Sequence, residues 1–190
     1  MITLRQRRKH SSFTLMELLT VIAIIAILAG LILWAGTGVM AAGLRSRASS
    51  EIQGMSSALE GYKVDNGIYP ADLNLVGPTN SSYPTDPTAS GSGANYQASS
   101  ETLYQALSGQ TNFNAATAGN KVYFTFKSSQ VGNPSGPSYT YVRDPFGFSY
   151  GYSPGNGSND VPYNGAGFFD LWSTGGSTTN TNSWISNWTQ

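Results

Sequence analysis

From Leu18 to Ala35 the chain runs through 18 residues without a charge, and only Thr20 and Gly30 depart from a strongly apolar theme. As a helix such a run spans about 27 Å at ~1.5 Å per residue, close to one bilayer hydrocarbon core. A cleaved secretory signal would have a shorter core and a small-x-small cleavage site, and a buried core helix is rarely apolar on every side. The pattern therefore predicts a membrane helix, with the basic residues Arg5, Arg7, Arg8 and Lys9 held on the cytoplasmic side. Beyond Gly43 the apolar positions thin to a stripe. Leu44, Ala48, Ile52, Met55, Leu59 and Tyr62 follow one another at spacings of 4, 4, 3, 4 and 3, the repeat of one helix face. Arg45, Arg47, Ser49, Ser50 and Glu51 fall on the other faces, and Asp65-Asn66-Gly67 supplies turn-tolerant residues where the stripe ends. Together these predict one helix from about residue 14 to 65, ~78 Å long.

The pattern then changes. Residues 79–100 are dominated by Ser, Thr, Gly, Asn and Pro and read as an exposed loop or linker. Glu101 to Leu107 reads as a short helix capped by Ser99 or Ser100, with Leu103, Tyr104 and Leu107 facing inward and Gly109 ending it. Lys121 to Lys127 alternates as a strand, with Val122, Phe124 and Phe126 on one face. Tyr139–Val142, Phe148–Tyr152 and Gly167–Trp172 are three further short strand candidates. The expected class is α+β: a long amino-terminal helix packed on a small antiparallel sheet.

Charge and composition narrow the chemistry. The formal net charge of zero hides an asymmetry, because residues 1–12 hold four basic side chains and no acid. The rest of the chain holds six basic and ten acidic side chains and is mildly acidic, which argues against nucleic acid as a partner. There is no cysteine, so disulfides, thiolate metal sites and cysteine nucleophiles are excluded. The only histidine, His10, lies in the basic leader, leaving no imidazole for acid–base or ligand chemistry beyond it. An enzyme is not expected. Glu17 stands at the head of the apolar run, where a carboxylate costs on the order of 2–3 kcal/mol by insertion scales. It either snorkels to water or pairs with a positive group from another chain. Ala26-x-x-x-Gly30 offers a small-residue surface for close helix approach, and Gly36 and Gly38 mark an expected weak point in the helix.

Ser12-Phe13-Thr14-Leu15-Met16-Glu17, after a basic leader and before an apolar helix, resembles the processing site of type IV prepilins and type II secretion pseudopilins. The resemblance implies cleavage between Ser12 and Phe13 by a membrane prepilin peptidase, methylation of the new amino terminus at Phe13, and pairing of Glu17 with a neighbouring subunit's amino terminus during filament assembly. A buried carboxylate is tolerable when a buried ammonium meets it. Gly is usual before the cut, and this chain has Ser12. Asp144-Pro145-Phe146-Gly147-Phe148-Ser149-Tyr150, Ser153-Pro154-Gly155, Asp170 to Gly175 and Ile185-Ser186-Asn187-Trp188 are similar to ordered motifs of major pseudopilins of type II secretion. That family pins its carboxy-terminal loop with calcium held by carboxylates. The matching positions here are Ser177 and Ser183, and residues 173–190 contain no Asp or Glu, so the metal is not carried over and no cofactor is expected. Burial of Trp184, Ile185 and Trp188 is expected to fix the loop instead, with Asp160 or Asp170 folding in as the route by which a metal site would survive.

The implied organisation is a cleaved leader at 1–12, a transmembrane and assembly half of the helix at 13–37, and a periplasmic domain at 38–190. The implied role is a structural subunit of a periplasmic pseudopilus that drives protein export, anchored by a single pass in the inner membrane. Its partners would be further copies of itself, minor pseudopilins, the inner-membrane secretion platform and prepilin peptidase. Two alternatives stay open: a type IV pilin-like fibre for adhesion, motility or DNA uptake, and a membrane-tethered carbohydrate-binding module using the exposed aromatics.

Overall fold

The computed structural model describes residues 14–70, 92–114, 119–132, 140–154, 163–165, 167–177 and 180–188, apart from the side chains of residues 32–37 and 92–96. It divides into two compact units, Met1–Ala42 and Gly43–Gln190. The architecture is α+β, with a long amino-terminal helix and small antiparallel sheets.

Helix α1 covers Leu15–Asn66, within a residue of the limits its apolar pattern sets. It is continuous through Gly36 and Gly38, so the glycine pair makes no break. In the first unit its large apolar side chains face outward all round: Leu15 is 80% exposed, Ile24 57% and Leu31 60%. Among the described residues no helix is long and apolar enough to cross a membrane, and the run read as a membrane span continues into residues 32–37, whose side chains lie outside those described.

In the second unit α1 buries Ala48, Ile52, Met55 and Leu59, with Ala58 beside them. At the ends of the stripe Leu44 is exposed and Tyr62 is only partly covered. The helix stops where Gly67 takes φ +79° and its N–H returns to the Lys63 carbonyl at 2.7 Å, a left-handed closure that costs glycine little. Glu51 departs from the expected polar face. It is buried, and it accepts hydrogen bonds from Arg47 Nε at 2.8 Å and from the Tyr150 hydroxyl at 2.8 Å. Burial, with the Glu51 carboxylate beside it, pushes the Tyr150 phenol far above its usual range.

Helix α2 covers Ser92–Ser108 and corrects two expectations. The end of the 79–100 segment is helix, not loop; residues 71–91 lie outside those described. Ser99 and Ser100 are not caps. They sit buried inside the helix, their hydroxyls donating to the Tyr152 carbonyl at 2.6 Å and the Val142 carbonyl at 2.7 Å. Low-apolarity sequence concealed a helix whose small polar residues bond outward to neighbouring strands. Leu103, Tyr104 and Leu107 are fully buried as the spacing predicts, and the Gly109 N–H closes the helix on the Gln105 carbonyl.

Residues 121–127 form no ladder, although Phe126 is buried and Tyr123 and Phe124 pack on the core. The Tyr123 and Phe124 N–H groups both donate to the Leu107 carbonyl at the end of α2, which holds the segment by its side chains and one acceptor instead of a partner strand. The single expected sheet is two. Strands β1 (Val131–Gly132) and β2 (Tyr141–Val142) pair antiparallel, Val131 opposite Val142. Strands β3 (Gly151–Ser153), β4 (Asp170–Ser173) and β5 (Ile185–Ser186) form a second antiparallel sheet in the order β3-β4-β5. Gly151 lies opposite Trp172, and Trp172 lies opposite Ser186. A bridge between Arg143 and Ser149 leads from one sheet to the next. Tyr139, the first residue of one strand candidate, lies outside the described residues. Strands β1 and β5 carry no alternating pattern long enough to be read from sequence.

Candidate functional site

The start of α1 is the first candidate. Thr14 precedes the helix, and Glu17 sits in its first turn. The Thr14 N–H and hydroxyl both donate to Glu17 Oε2 at 2.8 Å, and the Glu17 N–H donates to Thr14 Oγ1 at 3.2 Å. This is the reciprocal arrangement that satisfies donors at a helix start, with the acid also favoured by the helix dipole. The Thr20 hydroxyl adds a bond to the Glu17 carbonyl at 2.9 Å. Glu17 Oε1 accepts nothing among the described residues, while Oε2 holds the helix start. Chemically the arrangement is a carboxylate held at the helix start by the Thr14 N–H and hydroxyl. Ser12 and Phe13, the expected processing residues, lie outside the described residues.

The second candidate is the carboxy-terminal loop. Asp144 is 2% exposed, and its carboxylate organises the turn that follows it. Oδ1 accepts from the Phe146 N–H at 3.0 Å and the Phe148 N–H at 2.8 Å, while Oδ2 accepts from the Ser173 hydroxyl at 2.5 Å. One buried acid thus ties the 144–150 turn to the end of β4. Burial raises its pKa, opposed by these four groups: the Ser173 hydroxyl and the Phe148, Phe146 and Gly147 N–H groups. Asp170 does similar work. It accepts from the Tyr163 N–H at 2.7 Å, the Asn164 N–H at 3.1 Å and Asn164 Nδ2 at 3.0 Å, and burial raises its pKa too.

Asn187 extends the β4 ladder with its side chain. The Leu171 N–H donates to Asn187 Oδ1 at 2.9 Å, the Asn187 N–H donates to the Leu171 carbonyl at 3.1 Å, and Nδ2 reaches the Phe169 carbonyl at 3.0 Å. Above this the indoles cluster. Trp184 stacks on Trp172 with centroids 6.0 Å apart, Trp188 meets Trp172 edge-on at 5.8 Å, and Tyr163 stacks on Trp188 at 4.9 Å. Trp184 is buried as expected, 6% exposed and part of the packing. Ile185 packs against the main core.

The positions matched to calcium ligands are occupied by other work. Ser177 Oγ accepts from the Asn180 N–H at 3.1 Å, and the Ser183 hydroxyl lies 2.6 Å from the Asn180 carbonyl and 3.2 Å from that of Thr174. The Ser183 carbonyl accepts from Arg45 Nη1 of α1 at 2.7 Å. A guanidinium on the loop carbonyl and hydroxyls committed to the backbone are a poor donor set for a hard dication that takes six to eight oxygens. Among the described residues no three His, Cys, Asp or Glu side chains come together to hold a metal. Asp170 is committed to Tyr163 and Asn164, and Asp160 lies outside the described residues. The role of Arg45 left no signal in the sequence, because it depends on a contact with a distant segment, whereas Asn187 stands in the Ile185-Ser186-Asn187-Trp188 motif.

With this geometry in view, comparison with known proteins finds a match at the amino-terminal end. Residues 7–33 match the prokaryotic N-terminal methylation motif. The chain is also 40% identical over 65 residues to type II secretion system core protein G of Aeromonas hydrophila, covering 34% of this chain and 46% of that protein. It is 33% identical over 67 residues to type II secretion system core protein G of Vibrio cholerae, covering 35% of this chain and 46% of that one. The likeness spans under half the length of either relative. No solved structure matches significantly.

Proposed function

We propose that this chain is a structural subunit of a type II secretion pseudopilus, a filament that drives protein export, and not an enzyme. The observation that carries the reading is the methylation motif over residues 7–33 together with Glu17 presented at the helix start with one free carboxylate oxygen. In this reading prepilin peptidase cuts between Ser12 and Phe13 and the Phe13 amino group is methylated. Glu17 Oε1 then accepts the ammonium of a neighbour's Phe13, which offsets the cost of holding a charge among apolar helices. The exposed apolar surface of α1 from Leu15 to Leu31 supports both the membrane anchor and the filament, since so large an apolar face demands lipid or other chains. Residues 13–37 act as anchor and assembly helix, residues 38–190 as the periplasmic domain, and minor pseudopilins and the inner-membrane platform as partners.

The likeness to two core G proteins favours secretion over a type IV pilin-like fibre. The carbohydrate-binding alternative loses its best aromatics, because Trp172, Trp184 and Trp188 pack on one another. Deleting the gene in the host and following its secreted proteins tests the reading. Accumulation in the periplasm, reversed by the wild-type chain, is expected; unchanged export would overturn it.

A further inference from the structure

The donor set of the carboxy-terminal loop does not fit a dication, yet the two arms of the loop come together closely. The Ser183 hydroxyl lies 3.2 Å from the Thr174 carbonyl across the crossing. Beside it Gly175 takes φ +63°, a left-handed conformation that glycine adopts at little cost. A β-carbon on Gly175 would collide with the Ser183 carbonyl oxygen, so the backbone of the first arm runs directly against the carbonyl of the second. Crowding a carbonyl dipole into such a crossing calls for a positive centre beside it.

Arg45 of α1 reaches that point. Its Nη1 donates to the Ser183 carbonyl at 2.7 Å and would lie 3.1 Å from a β-carbon on Gly175, so one guanidinium nitrogen meets both arms where they cross. Ser183 is one of the two positions matched to calcium ligands, and the guanidinium lands on it. Among the described residues Arg45 makes no ion pair, so its donor serves the carbonyl and no carboxylate competes for it. A guanidinium stays charged at any pH a protein survives and carries several donors, while calcium draws carbonyl oxygens by charge alone. Both supply a positive centre for the same carbonyl. They exclude each other, since a guanidinium at hydrogen-bond distance repels a dication from the oxygen it holds.

We propose that Arg45 is the resident cation of the carboxy-terminal loop: its guanidinium stands in for the calcium of the family the chain resembles and locks the crossing of Gly175 and Ser183 onto α1 without a metal. Arg45 is thus a positioning residue, acting through the loop it holds. The indole packing of Trp184, the next residue, depends on that lock. The inference concerns the folded globular unit alone and stands whether or not the chain polymerises.

Limited proteolysis reads the lock. Trp184 is 6% exposed, so chymotrypsin reaches it only when the loop opens, and Tyr104, buried on α2, reports opening of the whole unit. Full-length chain in detergent is digested briefly, and cleavage after each residue is followed by mass. Wild-type cleavage after Trp184 should be equally slow in calcium and in chelator. Arg45→Met keeps the stem and removes the cation, and should speed that cleavage about tenfold, as expected for losing a hydrogen bond to a charged group. Calcium should not slow it again, and cleavage after Tyr104 should not change. Arg45→Lys, which keeps a cation, should stay within about threefold of wild type. Equal rates after Trp184 in wild type and Arg45→Met would overturn the proposal. So would an Arg45→Lys variant as fast as Arg45→Met, which would assign the effect to packing of the stem. Acceleration after Tyr104 as large as after Trp184 would place Arg45 in the stability of the whole unit and overturn its role in the loop. Wild-type cleavage that calcium slows and chelator speeds would overturn the proposal in favour of a metal.

Discussion

Asp144 concentrates the physics of the carboxy-terminal half in one side chain. Its carboxylate is desolvated, yet it satisfies two backbone N–H groups and a hydroxyl that would otherwise be buried unpaired. An acid whose folded pKa is raised contributes stability that is complete below its unfolded value, about 3.9, and that is lost as pH rises through the folded value. Asp144→Asn keeps an oxygen for the N–H groups but cannot ionise. Melts of the full chain from about pH 3 upward should therefore show that the wild type loses stability relative to Asp144→Asn as pH climbs from about 4; a difference that grows as pH falls would contradict the assignment. The indole cluster is the second such site. Trp184→Ala, which removes a nearly fully buried ring, should cost about 3 kcal/mol, and Trp188→Ala somewhat less because that ring is only partly covered. Chelator should leave these melting temperatures unchanged, whereas a chelator-induced fall of many degrees would show that a metal holds the loop. The burial of these tryptophans was legible from the sequence because the loop has no disulfide or carboxylate to fix it. Arg45 was not legible, since its guanidinium bonds a carbonyl 138 positions away.

The element with a long apolar period was read to within a residue, and three of the four short strand candidates overlap β2, β3 and β4, while 121–127 forms no ladder. The limits of α1 follow from eighteen apolar residues, a 3–4 stripe and a Gly stop, each a local signal. Helix α2 begins earlier than its apolar residues indicate, because Ser99 and Ser100 are buried by bonding to strand carbonyls that the sequence cannot place beside them. The 121–127 segment has the alternation of a strand but no partner, which shows that side-chain period specifies a face and not a ladder. Two- to four-residue strands depend on such neighbours entirely. At Gly151, β3 passes beneath the Trp172 indole so closely that a β-carbon would collide with the ring. Gly151→Ala should therefore destabilise the domain by about 1–3 kcal/mol and disturb the near-ultraviolet signal of the tryptophans; a neutral effect on both would refute the close approach.

At the scale of the whole molecule, the proposed assembly role rests on the amino-terminal end of the chain. The amino-terminal motif was legible in the sequence, as basic leader, Phe-Thr-Leu-x-Glu and apolar helix, and residues 7–33 match the prokaryotic N-terminal methylation motif. Intact-mass analysis from cells with active prepilin peptidase should find a chain that starts at N-methylated Phe13, with Ser12→Gly speeding the conversion. Recovery of full-length chain alone would contradict the processing reading.

The central claim is that Glu17 is an assembly acid, its Oε2 held by Thr14 and its Oε1 reserved for a neighbour's amino terminus. The most direct measurement is the filament content of membranes from cells expressing Glu17→Ala, compared with wild type by shearing and electron microscopy. The account predicts a membrane-inserted, folded monomer that forms no filaments, because removing the charge eases insertion while deleting the intersubunit pair. Filaments of normal number and length from Glu17→Ala would contradict it and return Glu17 to the role of a helix cap.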